Sequence, residues 1–597
     1  MSHGPSVIHQ GPAFLGVERS LSGRRWLARP GDERLAQALA QRLALPELVG
    51  RVLASRGIGL DEAESFLNPT LRDLLPDPGH LKGMDKAVER LVAAVTRGET
   101  IGIFGDYDVD GATSSALLRN ALADMGAKAR VYIPDRIKEG YGPNAPALLR
   151  LRDEGVAVVV TVDCGTTAFD ALETATRAGL DMIVVDHHVG EAALPAALAV
   201  INPNRLDETS PHGHLAAVGV AFLLAVGLNR GLKAAGWYQS RPAPDLMRWL
   251  DLVALGTVCD VVPLVGVNRA LVVQGLKVMA KRANVGLAAL ADVAGVKERP
   301  DSYTLGYVLG PRVNAGGRVG EAELGTRLMS TDNPAEAAEI ARQLDGYNKD
   351  RQEIEAVVLL DAIEQVETRP DDGRPLLVAA GENWHPGVIG IVAGRLKERY
   401  GRVACVVALE GDQGKGSGRS VPGLDLGSAI IAARQAGLLR AGGGHAMAAG
   451  FTVARDKLTA LSDFLAERLQ AQLEGDLVPL LELDGALDAG AAGIELVETL
   501  AGVGPFGSGN PEPRFAISGA RIAKADVVGS GHVRLILTGA GGKRLKAIAF
   551  RAADSEMGHA LLSSAGASFH LAGTLRVDTW QGNSSVQLIV DDAAFAR

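Results

Sequence analysis

Between Ile101 and about Asp260 the chain alternates short apolar runs (IGIFG, ARVYIP, VAVVVTVD, DMIVVD, LAVINP) with segments of helical period. Runs this short and rich in Val and Ile, separated by helices, predict βαβ units and a parallel sheet. Residues 334–367 carry almost no helix breakers and repeat apolar positions at helical spacing. They predict one long connecting helix with Gly346 as its weak point. A second α/β block follows, with strand LLVAAG, helix GVIGIVAGRLKERYG and strand VACVVAL, ending near Leu473. From about Leu480 short β runs (FAISGARIAKADVV, HVRLILTG, RLKAIAFR, ASFHLAGTLRVDTW, SVQLIVDD) are divided by Gly and Asn, the texture of a small barrel of OB type. The expected fold class is therefore α/β. A parallel-sheet domain over 86–330 is joined by a long helix at 331–370 to a smaller α/β domain over 371–475. A C-terminal OB-type β-barrel over 480–597 follows, and an N-terminal cap region over 1–85 contains the helical run LAQALAQRLALPELVGRVLASRG.

Bulk properties narrow this picture only slightly. The 597 residues are 47% hydrophobic and 22% charged, which leaves room for several ordinary cores. Aromatics make up 4% and glycines number 73, so those cores rest on Ala, Val and Leu. A net charge of −9 argues against a coat of positive charge but allows a local basic groove. Cys164, Cys259 and Cys405 are far apart and odd in number, with no disulfide framework or zinc spacing, and a reducing cytoplasm is the expected setting. The first twenty residues lack the charged start and apolar core of a secretion signal. The longest apolar stretch, Leu215 to Leu228, falls short of the roughly 20 residues of a spanning helix and is expected to be a buried helix.

The chemistry gathers where apolar runs end. Asp106, Asp108 and Asp110 follow IGIFG; Asp163 follows VVVTV; Asp186, His187 and His188 follow MIVV; and Asp260 follows LVALGTVC. Read as four successive strand ends, these clusters stand where an open α/β sheet presents side chains to a ligand. Carboxylates mixed with imidazoles suit a pair of small divalent cations, the usual equipment for cutting phosphate esters. Each cluster also has a plainer reading. GDYDVDG opens like a calcium loop, but Leu117 stands where the bidentate Glu is required. It can equally be an acidic turn capping the following helix, and Asp163 alone reads best as a cap. In DHH, adjacent imidazoles on an extended segment point opposite ways, so one can bind metal while the other meets substrate. Asp186 can orient an imidazole from behind.

Taken in order, GDYDVDG, VDCG, DHH and GTVCDVVPL resemble the four motifs of the DHH phosphoesterase superfamily. Nearly the whole chain is similar to the superfamily's bacterial single-strand-specific 5′→3′ DNA exonucleases. Further matches are GPRVNAGGRVG, LDGYNKDRQEIE, HPGVIGIVAGRL, GSGRS, GGGHAMAAGF and GPFGSGNPEPRF. The resemblance implies two divalent ions, Mn²⁺ or Mg²⁺, held by Asp106, Asp108, Asp110, Asp163, His187 and Asp260. Asp163 bridges them, and Asp106 either touches a metal or stands one layer out. His188 is expected beside the scissile phosphate, completing a catalytic set of Asp108, Asp110, Asp163, His187, His188 and Asp260.

The second α/β block resembles a DHHA1 domain. Its glycines can let backbone N–H groups approach a phosphate, so Ser417, Gly418, Arg419, Ser420, Gly443, Gly444 and His445 are substrate-binding candidates. The competing reading gives the glycines to tight turns and close packing. The resemblance adds Arg136, Arg312 and Arg318 for a 5′-terminal phosphate or the nearby backbone. In the barrel, Arg534, Lys543, Arg544, Lys546, Arg551 and Arg576, with Phe550 and Trp580, suggest a groove for single strands. The alternative there is a solvated edge with Trp580 in the core.

These features imply an exonuclease that degrades single-stranded DNA 5′→3′ to mononucleotides in recombination and repair. Single-strand DNA-binding protein is the expected partner, with no membrane and a monomeric state; ATP is not expected, because no P-loop is present. The alternatives are a phosphodiesterase for short oligonucleotides or cyclic dinucleotides, and a non-catalytic replication scaffold.

Overall fold

In the computed structural model, residues 11–596 are described except 137, 370–371, 474, 476–477, 564–565 and 581–582. Five strands, Thr100–Phe104 (β1), Lys128–Tyr132 (β2), Val156–Val162 (β3), Asp181–Val185 (β4) and Ala199–Ile201 (β5), form a sheet of order β2-β1-β3-β4-β5 with every pairing parallel. The runs are apolar throughout because both faces are covered. Ile103, Val158, Val160, Val162, Ile183 and Val185 enter one core. On that side lie Met84–Arg97, Val109–Asp124 (α1), Ala217–Ala234 (α2) and Leu250–Cys259 (α3). The alternate residues Val159, Met182 and Val184 enter a second core with the helices Ala145–Asp153 and Phe169–Arg177. The strand order reverses between β1 and β3. At such a switch point the two crossovers leave in opposite directions and open a crevice beyond the strand carboxyl ends.

Two expectations change here. Among the described helices, α2 is long and apolar enough to cross a membrane by length and composition, exceeding the apolar stretch read from the sequence. Its residues Ala217 to Ala225 are buried in the first core. Asp260 ends no strand: the run before it is α3, buried on every side from Leu250 to Thr257. A helix apolar all round has no amphipathic period, so it reads like a buried strand.

The helix Pro334–Glu367 (α4) runs unbroken through Gly346. The cost of about 1 kcal/mol for a mid-helix glycine is offset by burial of Ala337, Ile340, Ala341 and Leu344 earlier in the helix, and of Val358 and Ala362 later. Beyond it, a mixed sheet has the order Leu439–His445, Ala448–Ala454, Gln413–Arg419, Val403–Glu410, Leu376–Glu382, parallel only in the last pairing. The C-terminal strands follow the order Gly485–Leu487, Phe515–Val528, His532–Thr538, Arg544–Ala549, Asn583–Phe595, Ser568–Trp580. Phe515–Val528 pairs again with Ser568–Trp580, which closes a five-stranded OB-type barrel. The N-terminal strand Arg25–Ala28 pairs parallel with Leu480–Leu483, and buried Trp26 donates to Asp592 Oδ2 at 2.9 Å. The chain forms two compact units, one of Asp61–Asp350 with Gly502–Glu512 and the other of the remaining residues.

Candidate metal centre

Each acidic cluster is placed by a local backbone event. Past β1 the chain turns sharply into α1: a Cβ on Gly111 would come within 2.6 Å of the Asp106 carbonyl oxygen, so only glycine allows the turn. Asp108 caps α1, its Oδ1 accepting from Gly111 N at 3.0 Å. Asp110, buried in the first turn, reaches across to α2 and accepts from Ala217 N at 2.7 Å and Val218 N at 2.9 Å. It supplies the cap that α2 lacks, since Ala216 at its N-cap has no side-chain acceptor, and both carboxylate oxygens are thereby fixed. Asp163 follows β3 in the left-handed region, φ 60°, which a non-glycine residue seldom adopts. Asp186 follows β4 and spends its oxygens locally, on Thr166 N (3.0 Å), His187 N (2.8 Å), His188 N (3.2 Å) and His188 Nδ1 (2.7 Å). Asp260 ends α3.

These side chains converge. His187 Nε2 lies 3.4 Å from Asp163 Oδ1, 3.5 Å from Asp260 Oδ2 and 3.9 Å from Asp110 Oδ2, and His188 Nδ1 lies 3.9 Å from Asp163 Oδ1. Three sets offer one donor atom per residue within 4.8 Å of one another: Asp106, Asp108 and Asp163; Asp110, His187 and Asp260; and Asp163, His187 and His188. The sequence-derived set Asp106, Asp108, Asp110, Asp163, His187, His188 and Asp260 thus meets at one place.

The electrostatics show what the cluster lacks. Burial, reinforced by Asp108, lifts the Asp106 carboxyl well above the ordinary range. The same causes lift Asp110 to about 7 and Asp163 well above its usual value, and burial with the Asp110 charge lifts Asp260 to about 9. Burial pushes His187 down to about 4, which leaves a neutral imidazole able to bind metal. Burial also works against a charged His188, but the hydrogen bond and charge of Asp186 overcome it and raise the imidazole above its ordinary value. Asp186 itself is held low despite burial by the hydrogen bond and charge of His188. Asp106 Oδ1, Asp163 Oδ1, His187 Nε2 and Asp260 Oδ2 are buried with no hydrogen-bond partner. Unpartnered buried acceptors are costly, and divalent cations among them would supply the missing contacts and charge. The donor set therefore fits hard divalent metal ions.

Several supporting residues escaped sequence reading. The Tyr141 hydroxyl donates to the Asp163 carbonyl oxygen at 2.9 Å and lies 3.4 Å from His188 Nδ1. Asn202 Nδ2 donates to the His188 carbonyl oxygen (2.8 Å) and Asn204 Nδ2 to that of His187 (2.5 Å). Only the glycines flanking Tyr141 in EGYGPN hint at a special loop.

The other candidates divide. Arg136 lies with its Cζ 5.0 Å above the Tyr107 ring and lowers the Asp106 carboxyl by its charge. Arg318 also acts by charge on Tyr107. Arg312 is engaged with Asp345 (2.9 Å) and the Val308 carbonyl oxygen (2.7 Å).

In the second unit, the glycine-rich segments are strands rather than nests. A Cβ on Gly416 would run into Phe451, and one on Gly418 would come within 2.6 Å of Leu426, so both glycines serve packing. Gly444 is closed off by Ala448 and Ala449, whereas Gly443 faces open space. Ser420 is buried and donates to the Leu424 carbonyl oxygen at 2.7 Å. Arg419, Ala448 and His445 are in register across three strands, which brings Arg419 and His445 to the same sheet end. Arg419 Nη1 lies 3.2 Å from Ser417 Oγ, and both side chains stand 3.0 Å from where a Gly390 Cβ would be, in the first turn of the helix Ile389–Tyr400. A guanidinium, a hydroxyl and a helix N-terminus together suit a phosphate. On the barrel, Arg534 is paired with Asp526, Lys546 donates to Ser585 Oγ (3.0 Å), and Phe550 is exposed. The Trp580 side chain lies outside the described residues.

Three family descriptions match the chain: "DHH family, N-terminal domain" over residues 100–257, "DHHA1 domain" over 373–471 and "RecJ OB domain" over 483–592. The single-stranded-DNA-specific exonuclease RecJ of Escherichia coli (strain K12) is 36% identical over 562 residues, covering 92% of this chain and 96% of the relative. That of Bacillus subtilis (strain 168) is 33% identical over 585 residues, covering 96% and 71%. The crystal structure of RecJ in complex with Mn²⁺ from Thermus thermophilus superposes with a TM-score of 0.79 at 30% identity, covering 95% of this chain and 78% of that one.

Proposed function

The chain belongs to the RecJ family, and from that premise we propose that its acidic crevice cuts single-stranded DNA with two divalent metals, working from the 5′ end. The protein is a metal-dependent, single-strand-specific DNA exonuclease. The observation that carries the two-metal reading is the convergence of four buried, unpartnered ligand atoms on Asp106, Asp163, His187 and Asp260.

In this reading Asp106, Asp108 and Asp163 would hold one ion and Asp110, His187 and Asp260 the other. Bound there, Mn²⁺ or Mg²⁺ would activate water and neutralise charge on the attacking and leaving oxygens. The chain's own residues do the rest. Two N–H donors from α2 hold Asp110 rigid, and neutral His187 presents Nε2. His188 has a side chain 41% exposed against 12% for His187, so it is the imidazole that meets substrate. Asp186 accepts from His188 Nδ1 and favours its protonated form. This leaves Nε2 free to face the scissile phosphate, where an N–H would donate to it or protonate the leaving oxygen.

Arg419, Ser417 and the adjoining helix start would take a 5′-phosphate. Arg136 and Arg318, whose charges act on Asp106 and Tyr107, would contact the DNA backbone at the crevice, and the products are mononucleotides. ATP plays no part, the enzyme is a cytoplasmic monomer, and a single-strand DNA-binding protein delivers substrate. The barrel supports this over a dinucleotide phosphodiesterase, because a minimal substrate needs no strand-tracking domain.

The test is Asp163→Ala with Mn²⁺ and a long 5′-phosphorylated strand. Turnover should fall by more than about 100-fold while strand binding persists. Near-normal turnover overturns the site, and faster cleavage of a dinucleotide than of the long strand by the unaltered enzyme overturns the substrate.

A further inference from the structure

The stretch Gly502–Glu512 interrupts the barrel in sequence: the helix Ile494–Ala501 precedes it and the strand Phe515–Val528 follows. Its own residues nevertheless pack with Asp61–Asp350. It holds most of the GPFGSGNPEPRF motif, which neither the metal nor the phosphate chemistry above uses.

Its backbone is pinned at three points. The Ser508 carbonyl oxygen accepts from Leu264 N at 2.7 Å, and that of Phe506 from Ser302 Oγ at 2.7 Å. The carbonyl oxygens of Val503 and Gly504 accept from Arg269 Nη2 at 2.9 and 2.5 Å. Arg269 is only 1% exposed, and its Nε donates to the Phe66 carbonyl oxygen at 2.7 Å. A guanidinium is tolerated away from water where carbonyls replace its hydration, so this one is committed to holding backbone. Within the stretch, buried Asn510 donates Nδ2 to the carbonyl oxygens of Val503 and Pro505, both at 2.9 Å. Gly507 and Asn510 also exchange backbone hydrogen bonds at 2.9 and 3.2 Å.

What this stretch holds is the loop that follows Asp260. Val261 turns the chain through the left-handed region, φ 62°, and Pro263 to Val265 lead into the helix Gly266–Met279. Gly509 lies so close that a Cβ there would come within 2.9 Å of Pro263 Cβ, and a Cβ on Gly507 within 2.8 Å of Leu264 Cδ1. Asn268 Nδ2 also fixes the loop, donating to the Pro263 carbonyl oxygen at 3.0 Å and to that of His214 at 2.6 Å. Asp260 Oδ2 is one of the unpartnered atoms of the crevice, so the loop's placement is also its placement.

We propose that Gly502–Glu512 is a positioning strap for Asp260, which sets how tightly the cation shared with Asp110 and His187 is held. The inference rests on the reading of Asp260 as a metal-holding residue. Asn510, Ser302 and Arg269 act through the loop and touch neither substrate nor metal.

The experiment uses the full chain. Mn²⁺ binding is measured by titration calorimetry without DNA, and exchange of the Leu264 amide is followed by hydrogen–deuterium exchange. Asn510→Ala should weaken Mn²⁺ binding by about five-fold or more and speed Leu264 exchange by about ten-fold or more. The kcat at saturating Mn²⁺ should stay near wild type, whereas a merely unstable protein loses kcat at every metal concentration. Ser302→Ala, a milder loss, should move binding and exchange in the same direction and carries the test if Asn510→Ala does not fold. Wild-type Mn²⁺ binding in the strap variants, with weakened binding in Asp260→Asn, overturns the strap and leaves the metal site standing. Wild-type binding in Asp260→Asn overturns the metal site itself.

Discussion

Asp251 shows what a single buried acid does where no ligand set surrounds it. It is 1% exposed in α3 and accepts the Leu252 backbone N–H at 2.9 Å, yet burial raises its carboxyl to about 7. A folded-state value above the unfolded one favours the protonated form. Its cost is therefore absent below about pH 4 and grows to at most about 4 kcal/mol as pH rises through 7. Thermal melts of Asp251→Asn and wild type should agree near pH 4 and separate in the variant's favour by pH 8; parallel curves would refute this. Arg419 is the corresponding test of the phosphate site. Arg419→Ala should lower activity on 5′-phosphorylated strands about ten-fold, with a smaller effect on 5′-hydroxyl strands; equal losses would remove it from end recognition. The acids and imidazoles of the crevice were legible from sequence because charge at the end of an apolar run is conspicuous. Tyr141, Asn202 and Asn204 were not, since they hold backbone carbonyls, and nothing in a residue's identity says which carbonyl it will meet.

Among the elements, α3 was misread as a strand because burial on every side erased its period, yet it is the element that delivers Asp260. Its position depends on close passage of the helix Gly266–Met279. A Cβ on Gly275 would strike the Leu250 carbonyl oxygen and come within 2.5 Å of Ala254 Cβ. Gly275→Val should force these helices apart and cost about 1–3 kcal/mol of stability, read as a lower denaturation midpoint; an unchanged midpoint would mean the helices can shift freely. The strands β1, β3 and β4 and the helix α4 were foreseeable, since Val- and Ile-rich runs and breaker-free helical spacing are local signals. For the glycines around Gly416 and Gly418 the sequence left phosphate contact and close packing both open, because the Phe451 and Leu426 side chains that decide for packing lie elsewhere in sequence.

For the whole molecule, the two compact units set a simple expectation. Metal binds only the folded form of the unit holding the acidic crevice, so at 100 times its Kd it should stabilise that unit by about 2.7 kcal/mol. In calorimetry, Mn²⁺ should raise the unfolding transition of the Asp61–Asp350 unit and leave the other in place, and a chelator should reverse the shift. Equal movement of both transitions, or of neither, would count against a metal site confined to that unit. The expected N-terminal cap region also divides at this scale: residues up to Leu60 group with the barrel, through the pairing of Arg25–Ala28 with Leu480–Leu483, while Asp61 onward joins the catalytic unit. The amino-acid sequence alone determined most of the order of strands and helices, α3 excepted, together with the barrel and the clusters of acids and imidazoles, because periodicity and charge placement are properties of neighbours along the chain. Tertiary structure alone decided that β1 and β3 adjoin at the switch point, that Asp110 caps α2, and that Gly502–Glu512 returns to clasp the loop after Asp260. Those contacts join residues roughly 50 to 250 positions apart, and only the packing of whole elements brings such partners together.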